Sequence, residues 1–275
     1  MSALPSFLSL PVVVSRLRAA GCVFAEEEAG LLLSTARTPA ELAEMVERRV
    51  TGLPLEHVLG WAEFCGTRFL VDPGVFVPRR RTEFLVHRAA CLAVPDRPPG
   101  RPWVIVDLCC GSGAVGAALA AALGEAELYA VDIDPAAVRC ARRNVGAGGR
   151  VYEGDLYEPL PASLRGRVDL LVANAPYVPT EAIGSLPVEA RVHEPLVALD
   201  GGEDGVEVQR RVTAGAPLWL APDGHLLVET SERQAPRTVA AFARNGLEPS
   251  VARSEELDAT VVIGSAPAPR RGRGG

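Results

Sequence analysis

Lysine is absent from this sequence of 275 residues, so all 28 basic side chains are arginine. Without lysine there is no Schiff-base nucleophile and no phosphate-loop lysine, which removes two large enzyme classes. The six cysteines, Cys22, Cys65, Cys91, Cys109, Cys110 and Cys140, lack the paired spacing of a zinc site or a disulfide scaffold and read as reduced, buried thiols. No metal site is expected. Also missing are a leader pattern of basic, apolar and small residues and any apolar run near the ~20 residues that span a bilayer. A soluble, cytoplasmic protein without a membrane partner is therefore expected. The formal net charge of −6 argues against a surface that grips nucleic acid through many phosphate contacts.

What is present is apolar material, 48% of the chain, enough for a large domain with a smaller one attached. Within residues 4–50 apolar side chains recur at helical spacing: Leu8, Val12, Leu17, then Leu31 and Leu32, then Leu42, Met45, Val46 and Val50. This predicts three short helices. Thr38-Pro39 with Glu41 marks one start, with a capping hydroxyl, a proline in the first turn and an early acid. Residues 1–59 thus read as an N-terminal helical domain, either a packing appendage or a substrate-recognition unit. Residues 60–82 read as a β-hairpin linker, with Asp72-Pro73-Gly74 as the turn between two β-type runs. Arg79, Arg80 and Arg81 follow, as a solvated patch or an attraction for an anionic partner.

Residues 83–265 read as the main domain. Strands are expected at 103–109, 127–132, 150–155 and 168–173 and helices at 113–123 and 135–144. A helix at 205–220, a strand at 225–229, another helix and a strand pair near Val251 and Val261 follow. This alternation predicts an α/β fold with a mostly parallel sheet covered on both faces. Residues 177–204, which include His193, read as its longest irregular loop, and such loops are commonly functional. Residues 266–275 read as a disordered basic tail.

Two stretches carry chemistry. Asp107-Leu-Cys109-Cys110-Gly111-Ser112-Gly113-Ala-Val-Gly116 lies where a strand turns into a helix, a place where backbone N–H groups and the helix dipole receive a ligand. Gly111, Gly113 and Gly116 spell G-x-G-x-x-G, and Asp132 follows at the end of the next strand, so a nicotinamide dinucleotide is one reading. Asp107 supports another. Its carboxylate would repel a pyrophosphate but suit the sulfonium and ammonium groups of S-adenosylmethionine. Asp132, followed by Ile133, then holds the ribose, and Asp155 with Leu156 borders the adenine.

The second stretch is 168–177, an apolar strand ending in Asn174-Ala175-Pro176-Tyr177. A planar nitrogen is a poor nucleophile because its lone pair is delocalised. Holding its hydrogens on the Asn174 side-chain oxygen and the Ala175 carbonyl would localise that pair towards a methyl donor, so that orientation supplies most of the catalysis. Tyr177 would pack on the flat face of the target, and Pro176 restrains the residue before it.

With Pro54-Leu-Glu-His-Val-Leu-Gly60, Glu63-Phe-Cys-Gly66, Val71-Asp-Pro-Gly-Val-Phe-Val-Pro-Arg79, Thr82-Glu83 and Gly154-Asp-Leu-Tyr-Glu-Pro159, these motifs carry a resemblance over nearly the whole chain. It resembles the HemK (PrmC) family of protein glutamine methyltransferases, as a side branch. The resemblance implies a class I S-adenosylmethionine-dependent methyltransferase fold, a Rossmann-like sheet of seven strands with one antiparallel, behind an N-terminal helical domain that contacts the release factor. It implies methylation of the glutamine amide in the Gly-Gly-Gln motif of a peptide chain release factor. S-adenosyl-L-methionine would be held by Cys109, Cys110, Gly111, Ser112, Gly113, Asp132, Leu156 and Asn174, and the acceptor amide by Asn174, Ala175, Pro176 and Tyr177. A monomer without direct nucleic-acid contact is expected. Methylation of an adenine amino group in DNA or RNA, a nicotinamide-dependent oxidoreductase and a non-catalytic binding protein are the alternatives. Two places differ from the family pattern: Ala175 replaces the first proline of Asn-Pro-Pro-Tyr, and Arg80-Arg81 replace a usual proline and glutamate.

Overall fold

The computed structural model describes residues 9–93 and 101–266. The chain opens with α1 (Leu10–Ala19), α2 (Ala25–Thr35) and α3 (Pro39–Val50). The Thr38 hydroxyl accepts the Glu41 N–H at 3.1 Å, the cap expected from the sequence. A fourth helix, α4 (Leu55–Leu59), goes beyond the expected three; its five residues are too few to show a period, and it stops at Gly60 with φ 79°. Val13, Leu17, Leu32, Leu42, Val46 and Val58 give these helices a core of their own.

The linker corrects the expected hairpin. β1 (Trp61–Phe64) and β2 (Thr67–Leu70) pair antiparallel through a turn of only Cys65 and Gly66, with φ of 49° and 70°. Positive φ at both positions matches the twist of the two strands. Asp72-Pro73-Gly74 forms a separate turn after the hairpin, closed by the Val75 N–H on the Asp72 carbonyl. Val75 and Val77 then pair with no strand and are buried against Ala137 and Cys140 instead.

After α5 (Glu83–Leu92) come β3 (Trp103–Leu108), α6 (Ala114–Leu123), β4 (Ala126–Asp132), α7 (Pro135–Val145), β5 (Gly149–Glu153) and β6 (Val168–Ala173). Next are α8 (Val188–His193), α9 (Glu207–Trp219), β7 (Leu220–Thr230), α10 (Ala235–Arg244), β8 (Glu248–Ser254) and β9 (Ala259–Ser265). The sheet has seven strands in the order β5-β4-β3-β6-β7-β9-β8, with β9 antiparallel to both neighbours. The chain builds outwards from β3 on one side, then returns to place β6 on the other. Such a reversal of strand order is where parallel sheets bind ligands. Asp107 is in register with Val172 and Leu108 with Ala173, so the glycine loop and Asn174 emerge side by side.

Residues 177–204 are not irregular, contrary to the sequence reading. Turns of 3₁₀ helix at Thr180–Ser185 and Leu196–Ala198 flank α8, each preceded by a proline, Pro179, Pro187 or Pro195, whose fixed φ sets the entry. We refer to this stretch as the strap. The thiols also differ from expectation, since Cys110 and Cys140 are buried but Cys91 is exposed and Cys22, Cys65 and Cys109 lie between. Apart from Ala266, the basic tail lies outside the described residues, as does most of the proline-rich stretch before β3. Among the described residues no helix is long and apolar enough to cross a membrane.

Candidate active site

A cleft opens at the carboxyl ends of β3, β4, β5 and β6. It begins where β3 stops: Cys109 and Gly111 take φ of 56°, and Gly113 takes 77° at the start of α6. This sharp turn leaves the Gly111 N–H donating to Asp132 Oδ2 at 2.8 Å. The three glycines do different work. A Cβ at Gly111 would meet no atom within 4 Å, whereas at Gly113 it would lie 3.1 Å from the Ala141 Cβ and at Gly116 2.9 Å from Asp107 Oδ2. Gly111 therefore fronts the cleft. Gly113 and Gly116 allow close packing and are not among the residues that line it.

Asp107 lies deeper than the cleft wall. It is 1% exposed, does not line the cleft, and lies beneath the loop with Oδ2 accepting the Gly116 N–H at 2.8 Å. A buried carboxyl therefore underlies the loop. Burial pushes it up to about 7, opposed by the Gly116 N–H and reinforced by the nearby Asp132.

Cys109, Cys110, Ser112, Asp132, Ile133, Asp155, Leu156 and Asn174 do line the cleft. Asp132 Oδ1 accepts the Asp134 N–H at 2.9 Å, so each of its oxygens is fixed by one backbone donor and keeps acceptor capacity for a hydroxyl. Its pKa is raised by burial, against the lowering effect of those donors. Ile133, 52% exposed, offers an apolar surface beside it. Asp155 and Leu156, the latter with φ 48°, close the far side. Three acids, Asp132, Asp134 and Asp155, line the cleft, and its one cation among the described residues, Arg211 of α9, is bound to Asp155 at 2.6 Å. An acidic cleft whose single cation is already paired fits a cationic cofactor and opposes a pyrophosphate. Sequence reading missed Arg211, Phe76, Thr82 and Val197; Phe76 and Thr82 lie in the linker motif, but nothing near Arg211 signals it.

A second cavity meets the first at Phe76, Asn174, Pro176 and Ala198, which line both. Asn174 Nδ2 points to Thr82 Oγ1 at 3.4 Å, which leaves Oδ1 as its free acceptor. Ala175 is fully buried in the wall, and Tyr177 lines the second cavity. The Tyr177 hydroxyl donates to Glu229 Oε1 at 3.3 Å, and its backbone carbonyl accepts Gln234 Nε2 at 2.7 Å. Burial, then the facing Glu229, push the phenol well above its ordinary value.

The strap contributes to the walls of both cavities. Glu194, its side chain 1% exposed, accepts Arg79 Nη2 at 2.6 and 2.7 Å and the Val77 N–H at 3.1 Å. At the other end of α8, Glu189 accepts Arg49 Nη1 at 2.7 Å, and the same guanidinium binds Glu28 and the Leu53 carbonyl. His193 lines neither cavity.

This sheet order, with a turn of positive φ after its first strand and an acidic cleft at the switch point, defines a class I S-adenosylmethionine-dependent methyltransferase. Residues 67–203 match the Methyltransferase small domain family. In fold the chain is similar to a ribosomal protein L11 methylase from Lactobacillus delbrueckii subsp. bulgaricus, with a TM-score of 0.50 at 19% identity over 71% of this chain and 83% of that one. It is 39% identical to the release factor glutamine methyltransferase of Geobacter sulfurreducens over 76% of its length and 72% of that protein. It is 38% identical to a 4-amino-L-phenylalanine/4-methylamino-L-phenylalanine methyltransferase of Streptomyces pristinaespiralis over 76% of its length and 71% of that protein. The chain belongs to the release factor glutamine methyltransferase (HemK/PrmC) family. That membership sets the nicotinamide reading aside.

Proposed function

We propose that the protein methylates the side-chain amide nitrogen of glutamine in the Gly-Gly-Gln motif of a peptide chain release factor, acting as a monomer in the cytoplasm. The observation that carries this reading is the position of Asn174 in the wall shared by two cavities. When bound, S-adenosylmethionine supplies an electrophilic methyl group on a sulfonium, and Gly111, Asp132, Ile133, Asp155 and Leu156 would hold it. The chain's own residues act on the acceptor. Asn174 Oδ1 and the Ala175 carbonyl accept its two amide hydrogens, which draws the lone pair out of conjugation and aims it across the wall. Tyr177, anchored on Glu229, supports the flat face of the amide. Pro176 restrains the backbone that carries the second acceptor.

A second reading, methylation of an aromatic amine on a small amino acid, is favoured by the 38% identity to the 4-amino-L-phenylalanine enzyme. An aromatic amine shares the delocalised lone pair and so needs the same orientation. Incubation with methyl-labelled cofactor separates the two. Label is expected on a release factor and absent from its Gln→Ala variant in the Gly-Gly-Gln motif. Label on 4-amino-L-phenylalanine but not on the release factor would transfer the assignment to the second reading, and label on neither would end both.

A further inference from the structure

We infer that Arg81 sets acceptor specificity by offering its guanidinium to an anionic group beside the nitrogen that is methylated, and that Glu229 is the positioning residue which holds it there. The inference rests on the methyl-transfer reading above and adds the charge of the acceptor.

Four charged side chains line the acceptor cavity: Arg79, Arg81, Glu189 and Glu194. Three of them are engaged at short range, Arg79 with Glu194 at 2.6 Å and Glu189 with Arg49 at 2.7 Å. Arg81 is not. Its Nε lies 3.5 Å from Glu229 Oε1, its side chain is 45% exposed, and its Nη groups make no hydrogen bond among the described residues. Glu229 stands behind the cavity near the end of β7 with its side chain 3% exposed. Its Oε1 also receives the Tyr177 hydroxyl, and the Thr82 hydroxyl faces the same carboxyl group. A carboxylate this deep is costly unless a cation faces it, and the cation the structure provides is Arg81. That ion pair holds the guanidinium at the cavity wall, where its planar fork is matched to a carboxylate. The guanidinium carbon also sits 5.9 Å from the centre of the Tyr177 ring, at the limit of a cation–π contact. Tyr177 and Arg81 thus form one surface, on which a planar nitrogen group and a neighbouring anion lie together.

The test uses two acceptor pairs that differ by one charge: a release factor with Asp or Asn after its Gly-Gly-Gln motif, and 4-amino-L-phenylalanine or its carboxamide. The reading is the ratio of kcat/KM, charged over neutral, which cancels any general loss of activity or of folded protein. The wild-type ratio is expected to reach about tenfold in the pair that is turned over, the scale of a partly solvated charge-assisted hydrogen bond. It should fall towards one in Arg81→Gln, mainly through KM, and recover in part in Arg81→Lys. Glu229→Gln keeps an acceptor for Tyr177 but loosens the guanidinium, and should give an intermediate ratio. A wild-type ratio near one, or a ratio that Arg81→Gln leaves unchanged, overturns the inference alone. No transfer to any of the four acceptors overturns the methyl-transfer reading, and this inference with it.

Discussion

Asn174 touches both cavities but has its free acceptor on one side chain atom, so its removal should separate chemistry from binding. Asn174→Ala is expected to lower kcat by about 10²- to 10³-fold, the scale of losing one oriented polar group at a reacting centre. Cofactor affinity measured by calorimetry should change far less, because Gly111, Asp132 and Asp155 lie on other strands' ends. Asp107 answers to pH instead. An unfolded chain releases this proton near the ordinary 3.8, whereas the folded one keeps it up to about 7. The folded state therefore binds more protons across that interval, and its stability falls as pH rises through it and levels off above. Asp107→Asn retains an oxygen for the Gly116 N–H and cannot ionise. Its urea midpoint should hold steady between pH 5 and 8 relative to wild type; parallel curves would rule the assignment out.

Among the elements the strap depends most on single residues. Glu194 gathers Arg79 and the Val77 N–H at a point buried from solvent. Glu194→Ala leaves a donor and a cation unmatched, at a cost of about 1–3 kcal/mol. Because the loss falls on one segment, amide exchange should quicken in residues 186–198 while the β3, β6 and β7 amides stay protected, as read by mass spectrometry. The elements also show what a sequence reveals. β3 and β6 were legible because strands buried on both faces carry apolar runs without alternation, Val104 to Val106 and Leu170 to Ala173. The strap was not, since its helical pieces have six residues or fewer, too short for a period to repeat. The hairpin turn was placed at Asp72-Pro73-Gly74, a genuine turn sequence, while the real connection uses Cys65, a residue type with no preference for positive φ. In the candidate site, the places of Gly111, Asp132 and Asn174 to Tyr177 at strand ends were legible because such types stand out where an apolar run stops. Arg211 and Glu229 were hidden because their partners, Asp155 and Tyr177, lie 56 and 52 positions away.

At the scale of the whole molecule, two ion pairs converge on the strap from opposite directions. Arg49 brings the N-terminal helices to Glu189 and Arg79 brings the linker to Glu194, spanning 140 and 115 positions of sequence. The N-terminal core of Leu17, Leu32, Leu42 and Val46 followed from helical spacing, but its tie to the strap did not, because long-range ion pairs leave no local pattern. The strap has a kinetic consequence. Val197 lines the donor side, Leu199 the acceptor side and Ala198 both, so one segment borders the two cavities together. Opening of the strap to discharge the spent donor would also free the product, and each turnover would then begin from a new encounter. The enzyme should be distributive. On a nitrogen able to take two methyl groups, the singly modified form should accumulate almost to completion before the doubly modified form rises in a mass-spectrometric time course. Doubly modified product without that delay would mean the donor chamber refills behind a closed strap.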